Sequence, residues 1–245
     1  MNTVLFDLDG TLLPMNLDEF TETYIKALGA KMEELGYDSK KIVDSLWVGV
    51  KAMYENDGYL TNEECFWKAF EMHMCPEEKK MPPKQRVKLE RALLKFYKND
   101  FAVARFNTRP TALAKECVDL LKQKGYYIVI ATNPIFPEVA TLQRLAWAGI
   151  DEEDYMLVTT YENSCFTKPN LGYYRRVLQT IDKDPEDCLM VGNDVHEDMC
   201  AFKLGIDVFL LDECIINEHN EGTLEYKRGG WEEFKQFVEG LPSLV

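Results

Sequence analysis

From about residue 105 onward, short runs of apolar and β-branched residues alternate with amphipathic stretches of helical period. This alternation constrains the fold more than any other feature of the chain. Residues 110–124 place Leu113, Cys117, Leu120 and Leu121 on one face, and Gly125 supplies a stop. Residues 126–131 read as a strand. A helix marked by Val139, Leu142, Leu145 and Ala146 follows and ends at Gly149. The pattern then repeats: strand at 155–160, helix at 173–181, strand at 188–191, helix at 199–204, strand at 208–211. Trp231, Phe234 and Phe237 mark a last helix. Strands joined through helices lie parallel, and helices then cover both faces of the sheet. A short run at residues 3–6 belongs to the same sheet. The expected fold class is therefore α/β, with a parallel-sheet core.

Residues 15–104 interrupt that core with a different texture. They read as helix after helix without a strand. Leu17, Phe20, Tyr24, Leu28, Met32 and Leu35 mark one helix, stopped by Gly36. Ile42, Leu46, Val50 and Met53 mark the next. Thr61 and Glu64 form a capping box ahead of Phe66 and Phe70. Pro82 and Pro83 break the chain before a helix marked by Val87, Leu94 and Tyr97. The expected organisation is a discontinuous core, residues 1–14 and 105–245, with an α-helical cap domain at 15–104. The aromatic residues Tyr24, Trp47, Tyr54, Tyr59 and Trp67 read as helix-packing core of that cap.

The composition excludes several function classes. With 245 residues and 46% hydrophobic content, the chain can bury a substantial core. Its net charge of -14 argues against duplex nucleic acid or an anionic membrane as partner, since phosphate surfaces are met by positive ones. Seven cysteines without a C-x-x-C pair argue against a zinc site or a disulfide framework, and Cys117 and Cys188 read as buried thiols. The first residues carry no basic, apolar leader, so the expected location is cytoplasmic.

Parallel sheets bind ligands beyond the carboxyl ends of their strands, and the residues at those ends form a set. The first strand ends at Asp7 and Asp9, followed by Gly10 and Thr11. Two carboxylates one residue apart at a core edge are costly to desolvate unless a cation or hydrogen-bond donors meet them. A calcium loop does not fit. Its fifth, sixth and twelfth positions counted from Asp7 hold Thr11, Leu12 and Asp18. The second run ends at Thr132 and Asn133. A loop after the third carries Lys168 and Pro169. The fourth ends at Gly192, Asn193 and Asp194, with Asp198 four residues on.

These four motifs, in this order, resemble the haloacid dehalogenase superfamily of hydrolases. The similarity is to its phosphatase type, the phosphoglycolate phosphatase and β-phosphoglucomutase branch. The resemblance implies a Rossmann-like core with an inserted helical cap that closes over the site, hinged near Leu13–Pro14 and residues 104–108. It further implies a small phosphorylated metabolite as substrate and Mg²⁺ as cofactor. Asp7 would be nucleophile and metal ligand. Asp9 would move the proton and lend the metal its carbonyl. Thr132, Asn133 and Lys168 would bind the phosphoryl group, and Lys168 would add positive charge. The fourth motif of this family often reads glycine-aspartate-serine, and here Asn193 follows the glycine. Asp194 is then the better candidate for the direct metal ligand among Asn193, Asp194 and Asp198, with Asn193 and Asp198 in support. The same residues also suit a sugar phosphomutase, and the fold by itself suits a non-catalytic binding protein.

Overall fold

The computed structural model describes residues 1–77 and 80–245. Six strands form one parallel sheet in the order β3-β2-β1-β4-β5-β6. They are β1 (Thr3–Phe6), β2 (Tyr127–Ile130), β3 (Leu157–Val158), β4 (Cys188–Gly192), β5 (Asp207–Leu211) and β6 (Lys227–Gly229). The order in which successive strands are laid across the sheet reverses between β1 and β4, and a crevice opens where neighbouring connections run to opposite sides.

The period-two alternation of the strands divides the core into two. Val4 and Phe6 of β1, Ile128 and Ile130 of β2, Leu189 and Val191 of β4, and Phe209 and Leu211 of β5 face one way. They pack against α5 (Ala112–Gln123), α6 (Glu138–Ala148) and α8 (Trp231–Gly240). Leu5, Val129, Met190, Val208 and Leu210 face the other way, against α7 (Leu171–Ile181) and a 3-10 helix at Met199–Leu204. Strands β1, β2, β4 and β5 are buried on both faces, which explains why they read as apolar runs.

Between β1 and α5 stand four helices, α1 (Leu17–Glu34), α2 (Ser39–Tyr54), α3 (Asn62–Met74) and α4 (Pro83–Asn99), and a 3-10 helix at Phe101–Asn107. No strand occurs there among the described residues. The chain enters and leaves this segment side by side: Met15 bridges Thr108, and the Arg109 amide donates to the Pro14 carbonyl at 2.7 Å. The Thr61–Glu64 capping box starts α3, and Pro83 starts α4 at a position where its missing amide costs nothing. One apolar cluster runs without a break from Phe234 under the sheet to Met32 and Phe70 in the helices. Phe101 joins the layers, stacking on Trp147 at 5.5 Å between centroids and meeting Phe20 and Tyr24 edge-on.

Several expectations need correction. The buried face of α4 is Leu89, Leu93, Phe96 and Tyr97, so Val87 and Leu94 are exposed. Leu17 and Leu35 flank α1 in solvent. In α6 the inward positions are Ala140, Thr141, Arg144, Leu145 and Ala148, while Leu142 faces out. The third strand shrinks to two residues because only Leu157 and Val158 find ladder partners on β2. Strand β6 lies in a segment without strand-like apolar character and pairs through its backbone with β5. All seven cysteines are free, with Cys117 and Cys188 buried. No helix among the described residues is long and apolar enough to cross a membrane.

Candidate active site

Asp7 is the first residue past β1, and its amide donates to the Val191 carbonyl of β4 at 2.9 Å, at the crevice. The turn that follows is tight: the amides of Thr11 and Leu13 both donate to the Leu8 carbonyl. Gly10 adopts φ +85°, and a Cβ there would lie 2.5 Å from the Asn193 side chain. Only glycine allows that approach without displacing Asn193. The approach lets the Thr11 hydroxyl reach both sides of the crevice, 3.0 Å from Asp7 Oδ2 and 2.8 Å from Asn193 Oδ1. On the β4 side, a Cβ at Gly192 would sit 2.1 Å from Asp198 Oδ2.

Lys168 is the centre of charge. Its side chain is fully buried, with Nζ 2.9 Å from Asp7 Oδ1 and 2.6 Å from Asp198 Oδ1. Burial works against the ammonium charge, but the Asp198 and Asp7 carboxylates more than offset it and hold the proton more tightly than usual. Asp198 binds its proton more readily than an ordinary carboxylate: burial is the main cause, with Asp7 adding to it and Lys168 opposing. Its second oxygen accepts from the Asp194 amide at 3.0 Å. Both Asp198 oxygens are thus occupied by protein, and its place is behind Lys168.

The other strand ends converge on the same space. Asp7, Asp9, Thr132, Asn133, Asn193, Asp194 and Asp198 line one cavity of about 150 Å³. Lys168 lies immediately behind its wall. Every residue singled out from the sequence is therefore at this site. Their orientations differ in ways the sequence did not reveal. The Asn133 side chain is spent on protein contacts: it donates to Glu197 Oε2 at 2.8 Å and to the Tyr54 hydroxyl at 3.3 Å, and accepts from the Lys168 amide. The Thr132 carbonyl accepts from Thr159 and Tyr173. Asn193 donates to the Cys214 carbonyl at 2.7 Å. Asp194 Oδ1 accepts from the amides of His196 and Glu197, both at 2.8 Å. Burial raises the Asp194 proton affinity, with these amides acting in opposition.

Asp9 has a partner that sequence reading missed. Arg144, fully buried on α6, forms an ion pair with Asp9 Oδ2 and lies over the Phe136 ring at 4.1 Å. Asp9 Oδ1 is buried and has no hydrogen-bond partner among the described residues. Burial raises the proton affinity of Asp9; Arg144 pulls it down and Asp7 pushes it up, for a net rise. The available signal was an arginine at helical spacing between Ala140 and Ala148, on the inward face of α6. Glu197 was also missed. Burial foremost, with Asp194 and Asp198 nearby, pushes its carboxyl up to about 8. Tyr54 corrects an expectation: with Trp47 and Tyr59 it is exposed, and only Tyr24 and Trp67 are packed as core. Tyr54 lines the site cavity from α2.

No cluster of three acidic, histidine or cysteine side chains fit to cage a metal occurs among the described residues. Asp7 and Asp194 are among the carboxylates lining the cavity. A magnesium ion takes one or two carboxylates and fills its octahedron with water and substrate phosphate, so this sparse oxygen set suits it.

The model of the haloacid dehalogenase-like hydrolases matches residues 1–204. The chain belongs to that family, and it is a hydrolase by family. Solved structures of the same fold include a predicted phosphoglycolate phosphatase from Haemophilus somnus 129PT, 16% identical, with a TM-score of 0.58 over 97% of this chain and 98% of that one. A HAD phosphatase from Thermococcus onnurineus has the same identity and TM-score, with both chains covered completely. An L-2-haloacid dehalogenase from Xanthobacter autotrophicus is 14% identical, TM-score 0.55, over 98% and 99% of the two chains. At such identities the likeness establishes the fold, and the chemistry rests on the site.

Proposed function

We propose that this protein is a Mg²⁺-dependent phosphatase that hydrolyses a small phosphomonoester through an aspartyl-phosphate. One observation carries the reading: a carboxylate held by a buried lysine, Asp7 with Lys168, stands two residues from a second carboxyl with a free oxygen, Asp9 Oδ1.

In this reading an Asp7 oxygen attacks phosphorus in line with the leaving alcohol. The new Asp7–phosphorus bond forms as the bond to the alcohol oxygen breaks. Asp9 gives its proton to that oxygen, so the product leaves as the neutral alcohol. Asp9, now ionised, takes a proton from water, which attacks the phosphoryl group and returns Asp7 as carboxylate with release of inorganic phosphate. The raised proton affinity of Asp9 suits an acid that must be protonated at the first step, and Arg144 keeps the base form accessible for the second. Lys168 compensates charge as two anionic groups approach each other, and the Thr132 hydroxyl and loop amides can donate to phosphoryl oxygens. Asp7 and Asp194 would hold Mg²⁺, with the Asp9 carbonyl completing the protein donors. Bound there, the ion would neutralise charge on the transferring phosphoryl group.

Asp9 also separates phosphatase from dehalogenase chemistry. A halide leaves without a proton, so a dehalogenase has no use for an acid two residues past its nucleophile. The test is phosphate release from a panel of phosphomonoesters with and without Mg²⁺. Turnover should need the metal and vanish in Asp7→Asn with the fold retained by circular dichroism. Equal release by Asp7→Asn and the parent protein would sink the assignment.

A further inference from the structure

Beside the site cavity lies a second one of about 340 Å³, walled mostly by the helical insertion and closed by the loops after β2 and β3. The two cavities share Leu17, Ile135 and Phe136 as walls, so the larger one begins where a leaving group would depart from Asp9. Its volume falls in the range of small-molecule sites. Its lining is aromatic and aliphatic, with Tyr24, Trp47, Phe66, Trp67 and Tyr97 contributed by the insertion. Among the described residues, the charged ones lining it are Glu63, Glu90 and Glu162. Burial, reinforced by Glu162 and Glu90, raises the proton affinity of Glu63, which reports the negative field at this wall. Nearby, Arg144 is committed to Asp9, and Arg86, over the Trp67 ring, is committed to Glu71 and Glu90.

Resting on the phosphatase reading, we propose that this cavity receives the alcohol portion of the substrate, and that this alcohol is apolar and carries no negative charge. An anionic group there would lose its water and gain no cation, a loss that nothing in the wall offsets. A carboxylate-bearing ester, or a bisphosphate with its second phosphate in this cavity, is therefore disfavoured, and a bisphosphate-primed mutase with it. Trp47 and Leu94, half exposed on α2 and α4, are the walls through which such an alcohol is selected.

The experiment compares phosphate esters of primary alcohols, so that leaving-group reactivity stays similar: 2-phenylethyl phosphate, glycerol 3-phosphate and phosphoglycolate. The expected kcat/KM favours the phenylethyl ester at least about tenfold, the scale of discrimination a fitted apolar wall supplies. Leu94→Lys, at an exposed position, should lower that value and raise the one for phosphoglycolate. Preference for phosphoglycolate or glycerol 3-phosphate in the parent protein would overturn the proposal. Binding of 2-phenylethanol, read from tryptophan fluorescence, tests the cavity without turnover. Saturable change weakened by Leu94→Lys supports it, and no saturable change in the parent overturns it. If no ester releases phosphate while the alcohol still binds, the phosphatase reading fails and the cavity assignment stands.

Discussion

Arg144 shows how one side chain sets the chemistry of another. Its guanidinium neutralises Asp9 in a place where burial alone would drive the carboxyl towards its neutral form. Arg144→Met should therefore raise the proton affinity of Asp9 further. The limb of the kcat/KM profile that requires protonated Asp9 should move to higher pH, and the protein should lose about 3 kcal/mol of stability from the broken buried pair. A pH profile of kcat/KM that stays in place would count against the role of Asp9 as proton carrier. At this scale the sequence was legible where a residue type is rare in its setting. Two acids ending an apolar run are conspicuous, and so is a lysine before proline at a strand end once its companions are known. Arg144 was not, because an arginine on a helix is ordinarily solvated and only packing revealed which face of α6 turns inward.

The entry of α3 is the element on which the insertion meets the core. Asn62 is fully buried there, donating to the Pro134 carbonyl at 3.0 Å and the Phe166 carbonyl at 3.2 Å and accepting from Asn56 at 2.8 Å. Asn62→Ala strands these partners away from water and should cost about 2–3 kcal/mol. Thr61→Ala removes an exposed cap and should cost about 1 kcal/mol. Thermal melts of the two variants measure the difference, and an equal cost would mean that α3 is held by its cap alone. A second element, the 3-10 turn Glu152–Asp154, is pinned to α5 by Asp154, which Lys115 and Lys122 both contact. Burial pushes the Asp154 carboxyl up, but the two lysines outweigh it and bring it down to about 2. Its stabilising contribution is thus complete above the ordinary carboxylate value and fades as pH falls towards 2. The lysine ends lie partly in solvent, so about 1 kcal/mol is at stake. The melting temperature should drop across that window, and Asp154→Asn should flatten the drop while melting lower at pH 6. Capping boxes and glycine stops made these elements legible in sequence. The short β3 and the whole of β6 were not, since their strand character comes from ladder partners on β2 and β5.

Over the whole molecule, the insertion and the sheet share a single apolar cluster, joined at Phe101, Phe136 and Trp147. Unfolding should therefore be one transition, with circular dichroism and tryptophan fluorescence coinciding. A variant in which a short glycine-serine link replaces residues 15–107 should fail to fold, because Phe136 and Trp147 would lose their cover; the side-by-side Met15 and Thr108 make that link easy to build. Two separate transitions, or a folded deletion variant, would show that the layers are independent. From sequence alone came the α/β alternation, the helical insertion after the first strand and the acids, hydroxyl, amide and lysine at successive strand ends. Local period and residue type carry that information, and a parallel sheet then brings its strand ends to one edge. Tertiary structure decided the rest: Lys168 bridging Asp7 and Asp198, Arg144 paired with Asp9, and an aromatic cavity beside the site that no cation among the described residues lines. Such features depend on which faces of separate helices meet, and no local pattern encodes the meeting of residues a hundred or more positions apart.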